Sequence, residues 1–173
     1  MYSPIQLAFK YIQHYLKASN GKGHGVHSPF VFQFIKEVIQ DDRNFYAFED
    51  IEQIRTALLN NTKEITIEDF GAGSHTGLTK QRKISDIAKS SLKPKKFAQL
   101  LFKMVNYYQP KNILELGTSL GITTSYLASA NKNVQVTTME GSFTIAAIAK
   151  ENFTTLKLKN IEVVEGNFDT TLP

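Results

Sequence analysis

Residues 113–121 read ILELGTSLG, and residues 65–73 read ITIEDFGAG. Each stretch is a short apolar run that reaches an acidic residue and then a glycine-rich turn, a pattern typical of a strand leading into a nucleotide-binding turn. The residues that follow each turn show which of the two leads into a helix. ELGTSLG continues as ITTSYLASA, with the helical spacing of Ile122, Tyr126 and Ala130, whereas SHTGLTKQRK is polar and aperiodic. We therefore expect the ligand at the first turn, where backbone N–H groups meet at a helix N-terminus.

The composition limits the class of protein. The chain has 173 residues, 42% of them hydrophobic, a net charge of +4 and no cysteine. One domain with a hydrophobic core is expected, while disulfides, thiolate metal sites and cysteine nucleophiles are excluded. No apolar run approaches the roughly 20 residues that span a bilayer, and the N-terminus lacks a signal-peptide cleavage pattern. The expectation is a cytoplasmic protein that does not bind membranes and in which no basic block indicates nucleic acid.

Residues 1–93 are expected to form a helical N-terminal cap. Apolar residues recur at helical spacing from Ile5 to Leu16 and from Phe48 to Leu58, and Ser28-Pro29 is a cap followed by a first-turn proline. The loop Gly21–His27 holds His24 and His27, but two histidines are too few for a zinc site, so no metal is predicted. The turn Asp69–Gly73 is expected to be a tight connection, with a part in a lid as the alternative.

Residues 94–173 alternate between helix and strand. The pattern predicts, in order, a helix from about 97 to 108, a strand 112–116, a helix 121–130, a strand 134–139, a helix 143–156 and a strand 161–164. Strands joined by crossover helices are parallel with right-handed connections. The fold class is therefore α/β, a partial Rossmann-like parallel sheet of strand order 3-2-1 with an N-terminal helical cap.

Acidic residues near the strand ends indicate the ligand. Glu115 precedes Gly117 by two residues, and Ser119 replaces the middle glycine of a dinucleotide turn. A carboxylate there would repel a diphosphate but suits a cationic ligand, or a water bound near an amino-acid group. Glu140 ends the second strand, where it can accept hydrogen bonds from ribose hydroxyls, and Phe168 follows the third strand, where an adenine would lie.

Three motifs resemble those of a known family. PKNILELGTSLGITTSYLA, VTTMEGS and VEGNFDTTLP are similar, in order and spacing, to the cofactor motifs of class I S-adenosylmethionine-dependent methyltransferases, particularly the small-molecule O-methyltransferase-like branch. The resemblance runs from about Pro94 to Pro173, so residues 94–173 are interpreted as the N-terminal half of such a domain. It implies methyl transfer from S-adenosylmethionine to a small-molecule acceptor that the sequence does not identify.

The resemblance also implies roles for individual residues. Glu115 would lie near the methionine ammonium and Glu140 would hold the ribose. Ser90 and Ser91 fall where related enzymes bring a loop over the cofactor. The other expected contacts are Gly117, Thr118, Ser119 and Gly121 on the methionine and ribose side, Gly141 and Ser142 beside the ribose, and Asn167 and Phe168 at the adenine.

Two other functions stay open. One is a non-catalytic nucleotide-binding or scaffold domain, and the other is an NAD-dependent oxidoreductase, which the spacing of Glu115 and Gly117 disfavours. The resembling fold has strand order 3-2-1-4-5-7-6, so strand 112–116 would be central and would expose Ile113 and Leu114 at an edge. We expect a truncated form of a longer enzyme, or a homodimer that covers this edge, and we expect the isolated monomer to be poorly active.

Overall fold

The computed structural model describes residues 4–17, 28–69 and 78–172. The Gly21–His27 loop, with His24 and His27, and the Asp69–Gly73 turn beyond Asp69 lie outside the described residues. The chain divides into two compact units, Met1–Asp42 and Arg43–Pro173. Within the described residues, no helix combines the length and the apolar character needed to cross a membrane.

The first unit is helical. Helix α1 spans Pro4–Lys17, and helix α2 spans Pro29–Phe34 and continues into a π-helical turn, Ile35–Ile39. The side chain of Ser28 caps α2 by accepting a hydrogen bond from the Val31 amide at 3.4 Å. Pro29 follows in the first turn, where a missing N–H costs nothing. The Ser28-Pro29 helix start is thereby confirmed.

The second unit combines helices with two small sheets. Helix α3 (Ala47–Asn60) precedes a hairpin of β1 (Glu64–Asp69) and β2 (Leu78–Lys83), and α4 (Ile84–Ser91) follows. The remaining elements are α5 (Lys95–Tyr108), β3 (Asn112–Leu116), α6 (Ile122–Ala130), β4 (Gln135–Glu140), α7 (Phe143–Thr155), β5 (Ile161–Glu165) and α8 (Phe168–Thr171). The alternation expected after residue 94 is confirmed, and the short α8 was not foreseen.

Strands β3, β4 and β5 form a parallel sheet in that spatial order, which confirms the Rossmann-like fold class. Side chains alternate across it, so Val136 and Thr138 on β4 are fully buried on one face. A cluster formed by Val136 with Val105, Leu127 and Val134 joins that face to helices α5 and α6. The helices thus fix the direction in which the strand ends point.

The helical cap expected over residues 1–93 also contains a hairpin, which the sequence did not predict. Residues 64–69 and 78–83 pair as an antiparallel hairpin in which Ile65 lies opposite Arg82 and Ile67 opposite Lys80. Ile67 is buried in the same cluster as Ile145 of α7, and its neighbours Thr66 and Glu68 are exposed. This period-two burial is that of a strand with one covered face.

The expected boundary at residue 93 falls inside the second unit. Phe48 of α3 packs against Phe102 of α5 and Tyr126 of α6, with ring centroids 5.0 and 5.5 Å apart. Tyr126 is fully buried and donates a hydrogen bond to Glu52 of α3 at 2.8 Å. Helix α3 and the elements after residue 94 therefore share one hydrophobic core.

Strand β3 has a paired neighbour on one side only among the described strands. Leu114 and Leu116 are 60% and 55% exposed. Ile113, which was expected to be exposed with Leu114, instead packs into the cluster beneath the sheet. Alternation explains the difference, because Ile113 points to the face that the helices cover.

Gly121 serves the packing of two helices. It has φ +80°, and a Cβ placed there would lie 2.6 Å from Cε1 of Phe153 and 3.1 Å from Cβ of Ala149, both on α7. Carbon atoms do not approach to 2.6 Å without displacement. The residue lets the start of α6 pass close to α7, so its glycine character follows from the fold rather than from a ligand.

Gly121→Ala should lower the free energy of unfolding by about 1–3 kcal/mol, because the side chain meets Phe153 and the positive φ is strained. Urea unfolding measures the loss. Phe153→Leu, alone and combined with Gly121→Ala, completes a double-mutant cycle in which the smaller side chain should relieve part of the penalty. Stability equal to that of the parent would show that α6 and α7 separate at no cost.

Candidate functional site

Two adjoining cavities open at the carboxyl ends of β3, β4 and β5, where ligands of open α/β sheets bind. The first, which we call the hairpin cavity, has a volume of about 320 Å³. The second, the β3 cavity, has a volume of about 390 Å³ and runs along β3. Ser91, Gly117 and Ser119 line both. A ligand that filled both cavities would pass over the turn after β3.

The turn after β3 leaves space at its glycine. Gly117 has φ +91°, and a Cβ added there would meet no atom within 4 Å, so a larger side chain would enter the cleft. The amides of Gly117 and Thr118 both donate to the carbonyl of Met139, at 2.9 and 3.0 Å. The turn therefore continues the pairing of β3 with β4, and these two N–H groups are not free for a ligand.

Ser119 connects the turn after β3 to β4 and to α4 by hydrogen bonds. Its backbone has φ +48°, and its amide donates to Oε2 of Glu140 at 2.8 Å. Its hydroxyl forms a hydrogen bond of 2.8 Å with the hydroxyl of Ser91 at the end of α4. The sequence placed Ser91 near the cofactor, and the structure brings it to the boundary of the two cavities.

The carboxylate of Glu140 is oriented by two backbone donors. Oε2 accepts from Ser119 at 2.8 Å, and Oε1 accepts from the Ser142 amide at 3.1 Å. The side chain lines the hairpin cavity together with Gly141 and Ser142. A carboxylate oxygen accepts more than one hydrogen bond, so both oxygens keep the capacity for hydroxyl donors of a ligand.

Asn167 and Phe168 complete the hairpin cavity after β5. The Asn167 side chain accepts from the Asp169 amide at 3.1 Å and caps the short helix α8. This cap fixes the start of α8, so Phe168 stays at the cavity wall.

Glu115 lies in the β3 cavity, apart from Glu140. Its Oε2 accepts hydrogen bonds from the hydroxyls of Thr124 at 2.5 Å and Thr138 at 2.7 Å. Burial raises the pKa of Glu115, while the hydroxyls of Thr124 and Thr138 and the charge of Lys93 oppose the rise. The hydroxyl of Thr138 also bonds that of Thr118 at 2.7 Å. Because the Thr138 hydroxyl donates its hydrogen bond to the carboxylate, it accepts the one from the Thr118 hydroxyl.

Most of the expected residues lie together, and one does not. Gly117, Ser119, Glu140, Gly141, Ser142, Asn167 and Phe168 line the hairpin cavity, and Glu115 and Thr118 line the β3 cavity. Gly121 lines neither. Its Cα faces α7, as described above.

Sequence reasoning missed the wall that the hairpin and α4 supply. Ile67, Glu68, Arg82 and Ile87 all line the hairpin cavity. Arg82 donates to the hydroxyl of Ser90 at 3.1 Å. Alternation in ITIE was an available signal for β1, whereas the polar stretch LTKQRK carries none for β2.

Volume alone does not select this site. A cavity of about 520 Å³ lies at the opposite ends of the strands and is lined by residues such as Val134, Gln135 and Asn160. It lacks a partly buried carboxylate and a glycine turn. The hairpin cavity and the β3 cavity, which have both, are therefore the better candidates for a ligand site. Among the residues that the structure describes, no group of three or more His, Asp or Glu side chains is arranged to hold a metal ion.

Comparison with known proteins yields structural similarity only. No family model and no curated protein matches the chain. An O-methyltransferase from Bacillus cereus in complex with S-adenosylhomocysteine is 22% identical over 80% of this chain and 50% of its own, with a TM-score of 0.47. S-adenosylhomocysteine-bound methyltransferase from Podospora anserina is 15% identical over 75% of this chain and 54% of its own, with a TM-score of 0.46.

The third similar structure is the O-methyltransferase TomG from Streptomyces achromogenes, involved in tomaymycin synthesis and in complex with S-adenosylmethionine. It is 23% identical over 44% of this chain and 35% of its own, with a TM-score of 0.43. The chain thus spans about half of these structures or less.

The raised pKa of Glu115 makes stability depend on pH. Because the folded-state pKa lies above 4.5, the stabilising contribution of Glu115 is complete below about that pH and is lost as pH rises through the folded-state value. Glu115→Gln has a similar shape and does not titrate. The free energy of unfolding of the parent, relative to this variant, should therefore fall as pH rises across that window in urea titrations.

Thr124→Val removes a hydroxyl that favours the charged carboxylate, so it should raise the pKa of Glu115 further. Carboxyl ¹³C NMR titration measures the change. Thr137→Val is the matched control, because its hydroxyl bonds Glu162 on the other face of β4. A downward shift in Thr124→Val would contradict the hydrogen bond that places Glu115 in the cavity.

Proposed function

We propose that the cleft binds S-adenosylmethionine and that the protein takes part in transferring its methyl group to a small-molecule acceptor. One observation carries the proposal. Two carboxylates at the ends of adjacent strands, Glu115 and Glu140, face two cavities that adjoin over Gly117. An adenosyl group joined to an amino acid requires hydrogen-bond acceptors for ribose hydroxyls at one end and an anion for an ammonium group at the other.

The hairpin cavity fits the adenosine portion. Glu140 offers two oriented oxygens to the ribose 2′- and 3′-hydroxyls. Ile67, Ile87 and Ile145 give the cavity apolar surface, and Phe168 adds an aromatic ring suited to an adenine. Apolar walls with a few fixed polar groups are typical of cofactor sites.

The β3 cavity fits the amino-acid portion. The hydroxyls of Thr124 and Thr138 both donate to Oε2 of Glu115 and favour its charged form, against the larger effect of burial on its pKa. No hydrogen bond from the described residues reaches its other oxygen. An ammonium group there would gain an ion pair and would lower the pKa of Glu115, opposing the effect of burial.

The chain's contribution to the reaction is binding and orientation. When bound, the cofactor supplies a methyl group on a positively charged sulfur, which an acceptor nucleophile attacks in line. Gly117 leaves room for the ligand to cross between the cavities, while the Ser91–Ser119 hydrogen bond lies beside that crossing. Holding the sulfonium in a single position supplies much of the rate enhancement without a protein nucleophile.

The geometry disfavours a dinucleotide. A pyrophosphate needs free backbone N–H groups at the first turn, but those of Gly117 and Thr118 already bond the Met139 carbonyl. The carboxylate of Glu115 would also repel it. A non-catalytic binding domain would keep the same contacts, so turnover with a panel of hydroxylated acceptors separates that alternative from an enzyme.

Glu140→Ala should weaken S-adenosylhomocysteine binding by about 1–3 kcal/mol, because ribose hydroxyls lose their acceptors in a partly buried site. Isothermal titration calorimetry measures the affinity, and thermal unfolding confirms that the variant folds. Glu165→Ala is the matched control: Glu165 lies opposite Glu140 in the register but pairs with Lys150 at 2.6 Å outside the cavity. Unchanged affinity in Glu140→Ala would show that Glu140 does not bind the ribose hydroxyls.

A further inference from the structure

The connection between α4 and α5 places a lysine at the β3 cavity. Leu92 is the C-cap of α4, Pro94 is the N-cap of α5, and Lys93 lies between them. The carbonyl of Lys93 accepts a hydrogen bond from Nη1 of Arg55 at 2.9 Å. A residue before proline also has restricted backbone angles. The backbone at Lys93 is therefore held from both directions.

Arg55 is itself fixed. Its side chain is 11% exposed, and its Nε lies 2.9 Å from Oε1 of Glu52, the same oxygen that accepts from Tyr126. The backbone of Lys93 is thus tied to the core that α3 and α6 share.

Lys93 and Glu115 line the same cavity of about 390 Å³. The positive charge of Lys93 acts on Glu115 and lowers the pKa of that carboxyl against the larger effect of burial. Within the part of the chain that the structure describes, no carboxylate lies within 4 Å of the lysine ammonium. One cation and one anion therefore face a common space without a salt bridge between them.

This arrangement complements a zwitterion. An α-amino acid carries an ammonium and a carboxylate on one carbon, and a cavity with one charge of each sign binds it in one orientation. We infer that Lys93 binds the α-carboxylate of the cofactor's amino-acid portion and selects carboxylate-bearing adenosyl ligands. The inference rests on the proposed function, because it assigns the second charge of the same site.

Arg82 is the competing cation. It lines the hairpin cavity rather than the β3 cavity, and its guanidinium bonds Ser90. With adenosine in the hairpin cavity, the carboxylate lies at the far side of Gly117, next to Lys93. If Lys93 binds the carboxylate, substitution of Lys93 weakens binding; if Arg82 binds it, substitution of Arg82 does.

Calorimetry with two ligands tests the assignment. The first is S-adenosylhomocysteine, and the second is S-adenosyl-3-thiopropylamine, which lacks only the α-carboxylate. Lys93→Met should weaken the first about tenfold or more and leave the second within about twofold, since only the first carries the charge that the lysine pairs with. Lys93→Arg should retain most of the affinity. Lys89→Met, on α4 and outside both cavities, is the control for net charge and should bind like the parent.

Each other outcome overturns the inference in a recognisable way. If Lys93→Met weakens both ligands equally, the lysine acts through local structure. If it changes neither while the parent binds S-adenosylhomocysteine, the carboxylate lies elsewhere and the proposed function stands. Selective loss in Arg82→Met would assign the carboxylate to the hairpin cavity. If the parent binds neither ligand, the proposed function fails and this inference fails with it.

Discussion

The end of strand β4 determines the geometry of the cleft. The carbonyl of Met139 accepts the amides of Gly117 and Thr118, and the carboxylate of the next residue, Glu140, accepts the amides of Ser119 and Ser142. Four amides from two turns thus converge on two consecutive residues. A hydrogen bond to a charged acceptor contributes about 1.5–3 kcal/mol, so the two turns are held more firmly than surface loops usually are. The positions of the ligand-facing groups depend on this junction.

The junction forms only one wall of the cleft. The other wall comes from the hairpin and α4, which reach the site because α3 packs on the same aromatic cluster as α5 and α6. The amide of Ile84 donates to Lys63 and that of Ser85 to Asn61, so the start of α4 is tied to the end of α3. The Ser91–Ser119 hydrogen bond then joins the two walls. A segment that sequence reasoning separated from the domain therefore lines the candidate site.

The parts predicted correctly are those that local sequence controls. Strands β3 to β5 are short apolar runs followed by turns, and the parallel arrangement follows from the crossover helices, so Glu140, Ser142 and Phe168 could be placed at one edge. The hairpin was missed because β2, the polar stretch LTKQRK, shows no alternation, although Ile67 of its partner β1 is buried in the same cluster as Ile145 of α7. Gly121 was expected to contact the ligand because a glycine in this turn makes room either for a ligand or for a neighbouring helix. Only the position of Phe153 on α7 shows that it makes room for a helix. The hydrogen bonds from the Gly117 and Thr118 amides to Met139 could not be foreseen either, since their acceptor belongs to another strand.

The charges of the cleft suit a cation better than an anion. Glu115 and Glu140 lie on either side of Gly117, where the sulfur of the proposed cofactor would cross, and the Glu140 charge adds to the rise in the pKa of Glu115. Two carboxylates that raise each other's free energy are stabilised when a positive group comes between or beside them. In the proposed reaction, methyl transfer would leave a neutral thioether sulfur and that interaction would be lost. The same pair of residues would then favour the charged cofactor over the neutral product, because the hydrogen bonds to ribose and the ion pairs at the amino-acid end would be common to both.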